Sequence, residues 1–341
     1  MTLGDLTSNP HTGTTLTAQQ RLGEIIDAAV LTEELGLDSY TVGEHHSSRW
    51  AITAPPVVLA AIAPRTERIR LRTGITLIPN LDPVRVAEDY ATVDVLSGGR
   101  LELTVAKGNF PQPWPLFGQD REQQRERLVE GVDLLLKIWT EEPVTWEGRF
   151  RPPLNEASIG PRPIQSPPPI WWGVSTSPES VEPAVERGLP IVLGGVIQPV
   201  EHYGTLADHY REQWVLAGHD AAKLQIGSVS HLYIRKDGAQ ARRELEPHYR
   251  HVFDTVGKES GMSLPPFDFD AKLRGPLVCG SPDEAIEKLL AFHDRYQHQV
   301  HLFHADFGGI PGKEVAKTME LFATEVAPVL EAETRSLAPA A

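Results

Sequence analysis

The stretch that decides the fold is residues 17–46, which read TAQQRLGEIIDAAVLTEELGLDSYTVGEHH. Apolar residues recur at helical spacing from Leu22 to Val30, and the pattern stops at Gly36. This spacing predicts an amphipathic helix that ends at a glycine. Ser39 to Val42 then predict a short strand. Helices that alternate with strands in this way are typical of a parallel sheet with helices outside it.

The same alternation runs through the rest of the chain, in about eight repeats, which favours a closed α/β barrel, the (β/α)8 TIM barrel, over an open sheet. An open doubly wound sheet would carry a Gly-x-Gly-x-x-Gly turn after its first strand, and none is present there. We therefore expect one barrel domain over residues 1–335 and a disordered tail at 336–341. The predicted strands are 39–42, 69–78, 100–105, 170–174, 191–193, 226–234 and 300–304, and the longer predicted helices are 57–62, 84–96, 123–139, 200–217, 239–258 and 313–330, with others starting at Pro178 and Pro282.

Two insertions are expected, after the fourth and the seventh strand regions. Seven prolines lie between Pro152 and Pro169. Because proline interrupts helices and central strands alike, residues 144–169 predict a loop or a small hairpin outside the main sheet. Only Met1 to Leu3 precede Gly4, so we expect either a short first barrel strand or a natural start upstream of Met1.

The composition excludes several classes of protein. Lys and Arg number 32 against 46 Asp and Glu, so the net charge is −14, which disfavours nucleic acid and anionic membranes as partners. Cys279 is the single cysteine, so there is no intrachain disulfide or cysteine-based metal site. We find no basic leader and no apolar run long enough to span a membrane, and expect a soluble cytoplasmic protein.

The first candidate for chemistry is Gly43-Glu44-His45-His46, directly after the second strand. A barrel places its active site at the C-terminal ends of its strands. Adjacent histidines in an extended segment point to opposite sides, so they do not chelate one metal, but one of them can face the barrel mouth as an acid or base. A structural hydrogen-bonding role is an equally good reading of these residues alone.

The second candidate is the segment 175–180. Ser177 suits a helix N-cap, Pro178 the first helical position, and Ser180 lies three residues past the cap. Hydroxyls and backbone N–H groups there would suit a phosphate. A plain cap is the alternative, because Ser281-Pro282-Asp283-Glu284 has nearly the same form.

The third candidate is Lys107, which leaves the fourth strand with Gly108 toward the aromatic loop 111–117. It could offer a positive charge to a phosphate, or be an ordinary surface lysine. The sequence contains no motif typical of a metal site, a nucleoside triphosphatase or an α/β-hydrolase. His301 and His304 lie on opposite faces of a strand, and His-Glu-x-x-His, the Walker motif and Gly-x-Ser-x-Gly are all missing.

In these motifs, and over nearly its whole length, the chain resembles the bacterial luciferase-like family of flavin-dependent monooxygenases, in its alkanal monooxygenase-like branch. The resemblance rests on segments that follow one another at strand ends and helix starts: Glu-Leu-Gly-Leu-Asp (34–38), Gly-Glu-His-His (43–46), Asp-Pro-Val-Arg-Val-Ala-Glu-Asp (82–89), Leu-Ser-Gly-Gly-Arg (96–100), Lys-Gly-Asn-Phe (107–110), Ser-Pro-Glu-Ser (177–180), Arg-Gly-Leu-Pro (187–190) and Gly-Ser-Pro (280–282).

The resemblance implies a bound FMN with its ring in the barrel mouth and its phosphate near the fifth strand. It implies a non-prolyl cis peptide at Gly74–Ile75 beneath the ring and His45 as the catalytic histidine. The remaining cofactor-binding positions implied are Asn109 and Phe110 beside the ring, and the Thr176 backbone, Ser177, Ser180 and Lys107 at the phosphate. Relatives commonly have arginine in the place of Lys107, so the loss of a bidentate contact is expected to weaken phosphate binding.

The activity implied is that of an FMN-dependent monooxygenase, which takes reduced FMN from a partner flavin reductase and uses O2 to oxygenate a small apolar or carbonyl-containing molecule. His45 would manage a proton while the barrel excludes water. Two alternatives remain: an oxidoreductase that uses a deazaflavin, as sister branches do, and a flavin-binding protein without turnover. The resemblance also implies a homodimer formed through helices near the second and third strands.

Overall fold

A ring of parallel strands forms the centre of the molecule. The computed structural model describes residues 1–175, 177–260 and 266–337. Around the ring the order is β1-β2-β3-β6-β7-β8-β10, and β9 pairs with the end of β8. The strands are β1 (Ser39–Val42), β2 (Arg70–Thr73), β3 (Leu101–Val105), β4 (Val144–Trp146), β5 (Leu154–Ala157), β6 (Ile170–Val174), β7 (Ile191–Leu193), β8 (Ile226–Ile234), β9 (Val278–Gly280) and β10 (Val300–His304).

The first residues of the chain close this ring between β10 and β1. Thr2 bridges to Val42 in parallel, and its N–H donates to the Thr41 carbonyl at 2.8 Å. On the other side, the Met1 ammonium donates to the Phe303 carbonyl at 2.7 Å. With this segment as the eighth position, the predicted (β/α)8 barrel is confirmed, and its first strand is reduced to a single bridge.

Helices follow the strands and cover the outside of the ring, where their apolar faces and the outward residues of the strands form the main core. The α-helices are α1 (Ala18–Glu34), α2 (Pro55–Ile62), α3 (Pro83–Ser97), α4 (Pro113–Leu116), α5 (Gln124–Thr140), α6 (Glu182–Glu186), α7 (Val200–Leu216), α8 (Gly238–Ser260), α9 (Phe269–Arg274), α10 (Pro282–Tyr296), α11 (Gly312–Leu321) and α12 (Ala327–Leu337). None of the helices described here is long and apolar enough to cross a membrane.

Both predicted insertions are present. After β3, the proline-rich stretch contains the antiparallel hairpin of β4 and β5, which lies outside the barrel sheet. After β8, helices α8 and α9 and strand β9 precede α10. The sequence did not predict α4, α9 or β9, because each is only three to six residues long and too short to show a period.

Three predicted elements differ from the structure. The strand expected at 69–78 ends at Thr73, because the chain leaves the sheet at Gly74. The helix expected from Pro178 is a 3-10 turn (Pro178–Ser180) followed by the short α6, since Pro183 has no N–H to donate to the Glu179 carbonyl.

The C-terminal helix, expected at 313–330, is divided by a π-helical turn (Phe322–Val326), whose extra residue keeps both Phe322 and Val326 buried. Helix α12 continues through Leu337, two residues past the predicted domain end. Of the predicted tail, residues 338–341 lie outside the described residues.

The barrel interior is filled below its C-terminal end. Trp171, Val192 and Leu302 pack together there. Arg72 and Glu102 form an ion pair in the same layer, and the guanidinium lies 4.8 Å from the centre of the Trp171 ring system. The barrel is therefore a packed core, which leaves its C-terminal end as the place for a site.

Candidate active site

Residues with little or no side chain line the C-terminal end of the barrel. Gly43 follows β1, Gly74 follows β2, Ala106 follows β3 and Gly173 lies near the end of β6. A methyl group on Gly43 would lie 2.4 Å from Leu3, one on Gly74 would lie 2.6 Å from Thr41, and one on Gly173 would lie 3.0 Å from the Ala106 side chain. Gly43, Gly74, Ala106 and Gly173 thus form a close-packed surface without projecting side chains, which we call the glycine floor.

The peptide bond between Gly74 and Ile75 is cis, as the family resemblance implies. Gly74 N–H donates to the Val42 carbonyl at 2.8 Å, and Thr76 N–H donates to the Thr104 carbonyl at 2.7 Å. This segment is therefore anchored on both sides, to β1 and to β3. Gly74 and Ile75 are both half-buried, which places them at the surface of the mouth.

Glu44 fixes the loop that follows the cis peptide, a role that the sequence did not reveal. Its side chain is 4% exposed. One carboxylate oxygen accepts from Leu77 N–H at 3.0 Å, and the other lies 2.9 Å from Nε2 of His46. His46 is thus held by Glu44, while His45 has different neighbours, as the alternation of adjacent residues predicted.

His45 lies between two aromatic side chains at the mouth of the barrel. Its ring stacks on Trp50 at 4.2 Å between centroids and meets the edge of Phe110 at 5.1 Å. Burial, together with the nearby His304 and His46, lowers the pKa of His45 to about 3. Its Nδ1 atom is buried and has no hydrogen-bond partner within the described chain. The ring is uncharged at neutral pH, and Nε2, which is not among the buried atoms without a partner, is the nitrogen open to a ligand.

Lys107, Gly108 and Asn109 extend the chain beyond Ala106 of the glycine floor. Lys107 is half-buried, and no ion pair to it is found among the described residues. Gly108 has φ +75°, and a methyl group there would lie 2.6 Å from Leu77, so the position requires glycine. Asn109 is exposed, whereas Phe110 turns back to His45.

The two serine segments that looked alike in sequence differ in structure. Ser281 forms a capping box with Glu284, as the capping alternative predicted for that site. Ser177 precedes the 3-10 turn but makes no capping hydrogen bond with its side chain. Ser180 Oγ donates to the Ser177 carbonyl at 2.5 Å. The predicted contact through the Thr176 backbone lies outside the described residues.

The end of β10, which only the first residues of the chain separate from β1, holds a buried charged chain that the sequence did not single out. Nε2 of His304, at the end of β10, lies 3.3 Å from Oδ1 of Asp306. Oδ2 of Asp306 accepts from Arg21 at 2.6 Å. Burial alone would raise the pKa of Asp306, but Arg21 and His304 more than offset this and hold that pKa at about 2. Asp306 is therefore ionised at every physiological pH.

Next to His304, an aromatic group covers the mouth from the side of α8. The His231 ring lies 5.2 Å from that of His304, and its Nδ1 is 2.9 Å from the Tyr249 hydroxyl. Tyr249 contacts Phe307 at 5.5 Å and Phe267 at 6.2 Å between ring centroids. We call His231, Tyr249, Phe267 and Phe307 the aromatic wall.

Comparison with known proteins tests the family relationship that the sequence motifs predicted. Residues 1–299 match the family model described as luciferase-like monooxygenase. The chain belongs to this family. The predicted relationship is thereby confirmed, and with it the assignment of the chain to flavin-dependent oxidoreductases.

Individual relatives show the range of this family. The oxygenase component of the flavin-dependent trigonelline monooxygenase of Acinetobacter baylyi is 25% identical, over 81% of each chain. The F420-dependent glucose-6-phosphate dehydrogenase of Nocardia farcinica is 26% identical, over 91% of this chain and 94% of that protein. Among solved structures, a monooxygenase of Streptomyces bottropensis superimposes with a TM-score of 0.87 at 27% identity, covering 96% of this chain and 98% of that one.

Proposed function

We propose that the protein is an FMN-dependent monooxygenase that uses reduced FMN and O2 to oxygenate a small apolar or carbonyl-containing organic molecule. The observation that carries the proposal is the glycine floor beneath a mouth lined by His45, Trp50 and Phe110. A surface without side chains suits the flat isoalloxazine ring, because backbone can approach the ring face closely.

The groups around the floor fit FMN. Gly74 and Ile75 would lie beneath the ring, and Asn109 and Phe110 would lie at its edge. The accessible Nε2 of His45 offers a polar contact to a ligand between the aromatic rings of Trp50 and Phe110.

The phosphate would be held by Lys107, Ser177 and Ser180, with the Thr176 backbone as a fourth contact. The Ser177 hydroxyl does not cap the turn but hydrogen-bonds to the exposed Glu179 carboxylate, a contact that a bound phosphate would replace. Helix α6 has only five residues, so the hydroxyls and the Lys107 charge carry more of the binding than a helix dipole does. In a chain with a net charge of −14, this local positive charge matters for holding an anion.

When bound, reduced FMN supplies the two electrons and the O2 chemistry. The protein orients the substrate and keeps water out, and His45 accepts or returns a proton at Nε2, its accessible ring nitrogen. The aromatic wall favours an apolar substrate over a charged one. Because the chain needs reduced FMN, we propose that a separate flavin reductase supplies it.

The test is O2 uptake by the purified protein with chemically reduced FMN and with reduced deazaflavin, across a panel of ketones, aldehydes and aromatic compounds. Substrate-dependent uptake with FMN and incorporation of one atom of 18O2 into product would support the proposal. Hydride transfer from the deazaflavin without O2 uptake would establish the alternative oxidoreductase. Binding of FMN with only hydrogen peroxide released, whatever the substrate, would establish the flavin-binding protein without turnover.

A homodimer is part of the proposal. Val57 on α2 and Leu96 on α3 are 68% and 56% exposed, and Ile164, which approaches Gly99 just after α3, is 60% exposed. Exposed apolar side chains on two packed helices suit a second copy of the chain. Sedimentation equilibrium tests this: the wild type should be dimeric and Leu96→Glu monomeric, and a monomeric wild type would contradict it.

A further inference from the structure

Two buried polar atoms face each other at the mouth. Nε2 of His304 and Oδ1 of Asp306 lie 3.3 Å apart, within ion-pair distance, and no hydrogen bond to either atom is found in the part of the chain that is described. His304 is 4% exposed and Asp306 is 9% exposed. Burying a polar group without a partner costs free energy, so each of these two groups needs the other to offset the cost of its burial.

The pair determines which nitrogen of His304 carries the proton. Asp306 is ionised and offers only lone pairs at Oδ1, so a stable contact requires a hydrogen on Nε2. In the neutral ring, the lone pair is then on Nδ1. Nδ1 is not among the buried atoms without a partner, so it reaches accessible space at the mouth.

Arg21 holds the carboxylate in place from behind. It donates to Oδ2 of Asp306 at 2.6 Å and to the Asp306 carbonyl at 3.1 Å. Arg21 is 5% exposed and sits on α1. The side chains therefore form a chain, Arg21 to Asp306 to His304, in which each group orients the next toward the mouth.

We propose that His304 is a second proton-transferring residue of the mouth, with Nδ1 as the reacting atom and Asp306 and Arg21 as positioning residues. This inference rests on the proposed function. In the overall reaction, reduced FMN, O2 and substrate give FMN, oxygenated substrate and water. O2 takes up four electrons, two from FMN and two from the substrate, and both flavin hydrogens end in the water.

His304 would take one of these protons at Nδ1 and pass it to the departing oxygen, which returns the ring to its starting state. His45 suits this step less well, because its ring has no carboxylate partner among the described residues to stabilise a positive charge. Nε2–H of His304 keeps its contact with Asp306 throughout, so an imidazolium formed here is stabilised by a fixed negative charge.

The first test needs no flavin. Long-range proton–nitrogen NMR of protein labelled in its histidines distinguishes the two tautomers of a neutral ring, and a His304→Gln sample identifies the His304 signal. We expect the Nε2–H form in the wild type. An Nδ1–H form would overturn the proposal, whether or not the protein oxygenates anything.

The second test is the pH dependence of turnover. The charged and titratable groups around His304 are Asp306, His231, His45, Arg21 and the Met1 ammonium. We expect His304→Gln to lower kcat about 10²- to 10⁴-fold, to flatten one limb of the pH profile and to leave FMN affinity within about threefold. Added imidazole should restore turnover in His304→Ala.

The matched control is His301→Gln. His301 is on the same strand but faces outward, where it stacks on Phe292, so this variant should keep the wild-type pH profile. A His304→Gln enzyme with an unchanged profile and kcat would refute the proposed role. Inactivity of the wild type as a monooxygenase would refute the proposed function instead, and the tautomer measurement would still decide the inference.

Discussion

The carboxylate of Glu44 accepts a hydrogen bond from the backbone of Leu77, at 3.0 Å, and so joins the loop after β1 to the loop after β2. The same carboxylate holds His46. A motif that was noticed for its histidines is thus built around a buried acid. The contact fixes the loop that begins at the Gly74–Ile75 bond, and therefore one edge of the proposed flavin site.

Replacing Glu44 should weaken both the fold and the site. Glu44→Gln puts an amide NH2 against Leu77 N–H or against His46, and leaves one buried partner unsatisfied. We expect a loss of about 1–3 kcal/mol in the free energy of unfolding, with weaker FMN binding, measured by urea denaturation and flavin fluorescence. The exposed Glu67→Gln is the control and should behave as wild type. Equal free energies of unfolding for the two variants would show that the contacts of the Glu44 carboxylate do not stabilise the fold.

Ser177 and Ser281 provide a paired test, since they share a sequence pattern but not a role. Ser281→Ala removes a capping box and should cost about 0.5–2 kcal/mol of stability without changing FMN affinity. Ser177→Ala should do the reverse, with weaker FMN binding and an unchanged denaturation midpoint. If Ser177→Ala lost stability but bound FMN normally, the serine would be a cap after all.

Lys107 should set the affinity for the phosphate. Lys107→Ala removes a charge and is expected to weaken FMN binding about tenfold, or ~1.4 kcal/mol, with a smaller loss at high salt. Lys107→Arg restores a planar donor pair and should bind FMN more tightly than wild type. Isothermal titration at two salt concentrations measures both, with the exposed Lys223→Ala as control. Riboflavin, which lacks the phosphate, should not distinguish the variants.

Acid should destabilise the protein through buried histidines on the outer side of the barrel. Nε2 of His298 lies 2.9 Å from Nδ1 of His301, and burial lowers the pKa of His298 to about 3, with His293 and Arg211 adding to the effect. The unfolded chain binds this proton near pH 6.5, whereas the folded chain does not. The contribution to stability is therefore intact above about pH 6.5 and is lost as the pH falls toward 3.

We expect the urea midpoint to fall steadily from pH 7.5 to pH 5 and the fall to be shallower in His298→Gln. Gln can still hydrogen-bond to His301 but does not titrate. The His209→Gln variant serves as a comparison, because His209 is half-buried on α7 and lies outside the pair of His298 and His301. A midpoint independent of pH would contradict this account.

Much of the barrel was accessible from sequence because most of its strands are short apolar runs that end in glycine or polar residues. Strand β6 was predicted with its observed ends, and α1 and α5 within one residue. The errors have local causes. The strand expected through Ile78 stops at Gly74, and α11 gives way to a π turn at Phe322, and neither change alters the apolar pattern from which the elements were predicted.

The site was less accessible because its important contacts join residues distant in sequence. His45, Phe110 and the cis Gly74–Ile75 bond were expected from family resemblance. Glu44 was quoted within a motif and given no role, although an acid between strand and histidines could have suggested one. His304 was considered only as a metal ligand, and its dependence on Asp306 and Arg21 joins the two ends of the chain, a relationship that no local pattern contains.

The two sides of the mouth come from different parts of the chain. The glycine floor and the proposed phosphate contacts belong to residues 43–180, whereas the aromatic wall belongs to residues 231–307. Substitutions act nearly independently where the residues lie more than about 7–10 Å apart and share no partners. Mutant libraries confined to the parts of the aromatic wall at that distance from the glycine floor should therefore change the substrate range while the proposed FMN site stays intact. In the same way, substrate range could diverge within this lineage without a new cofactor having to be accommodated.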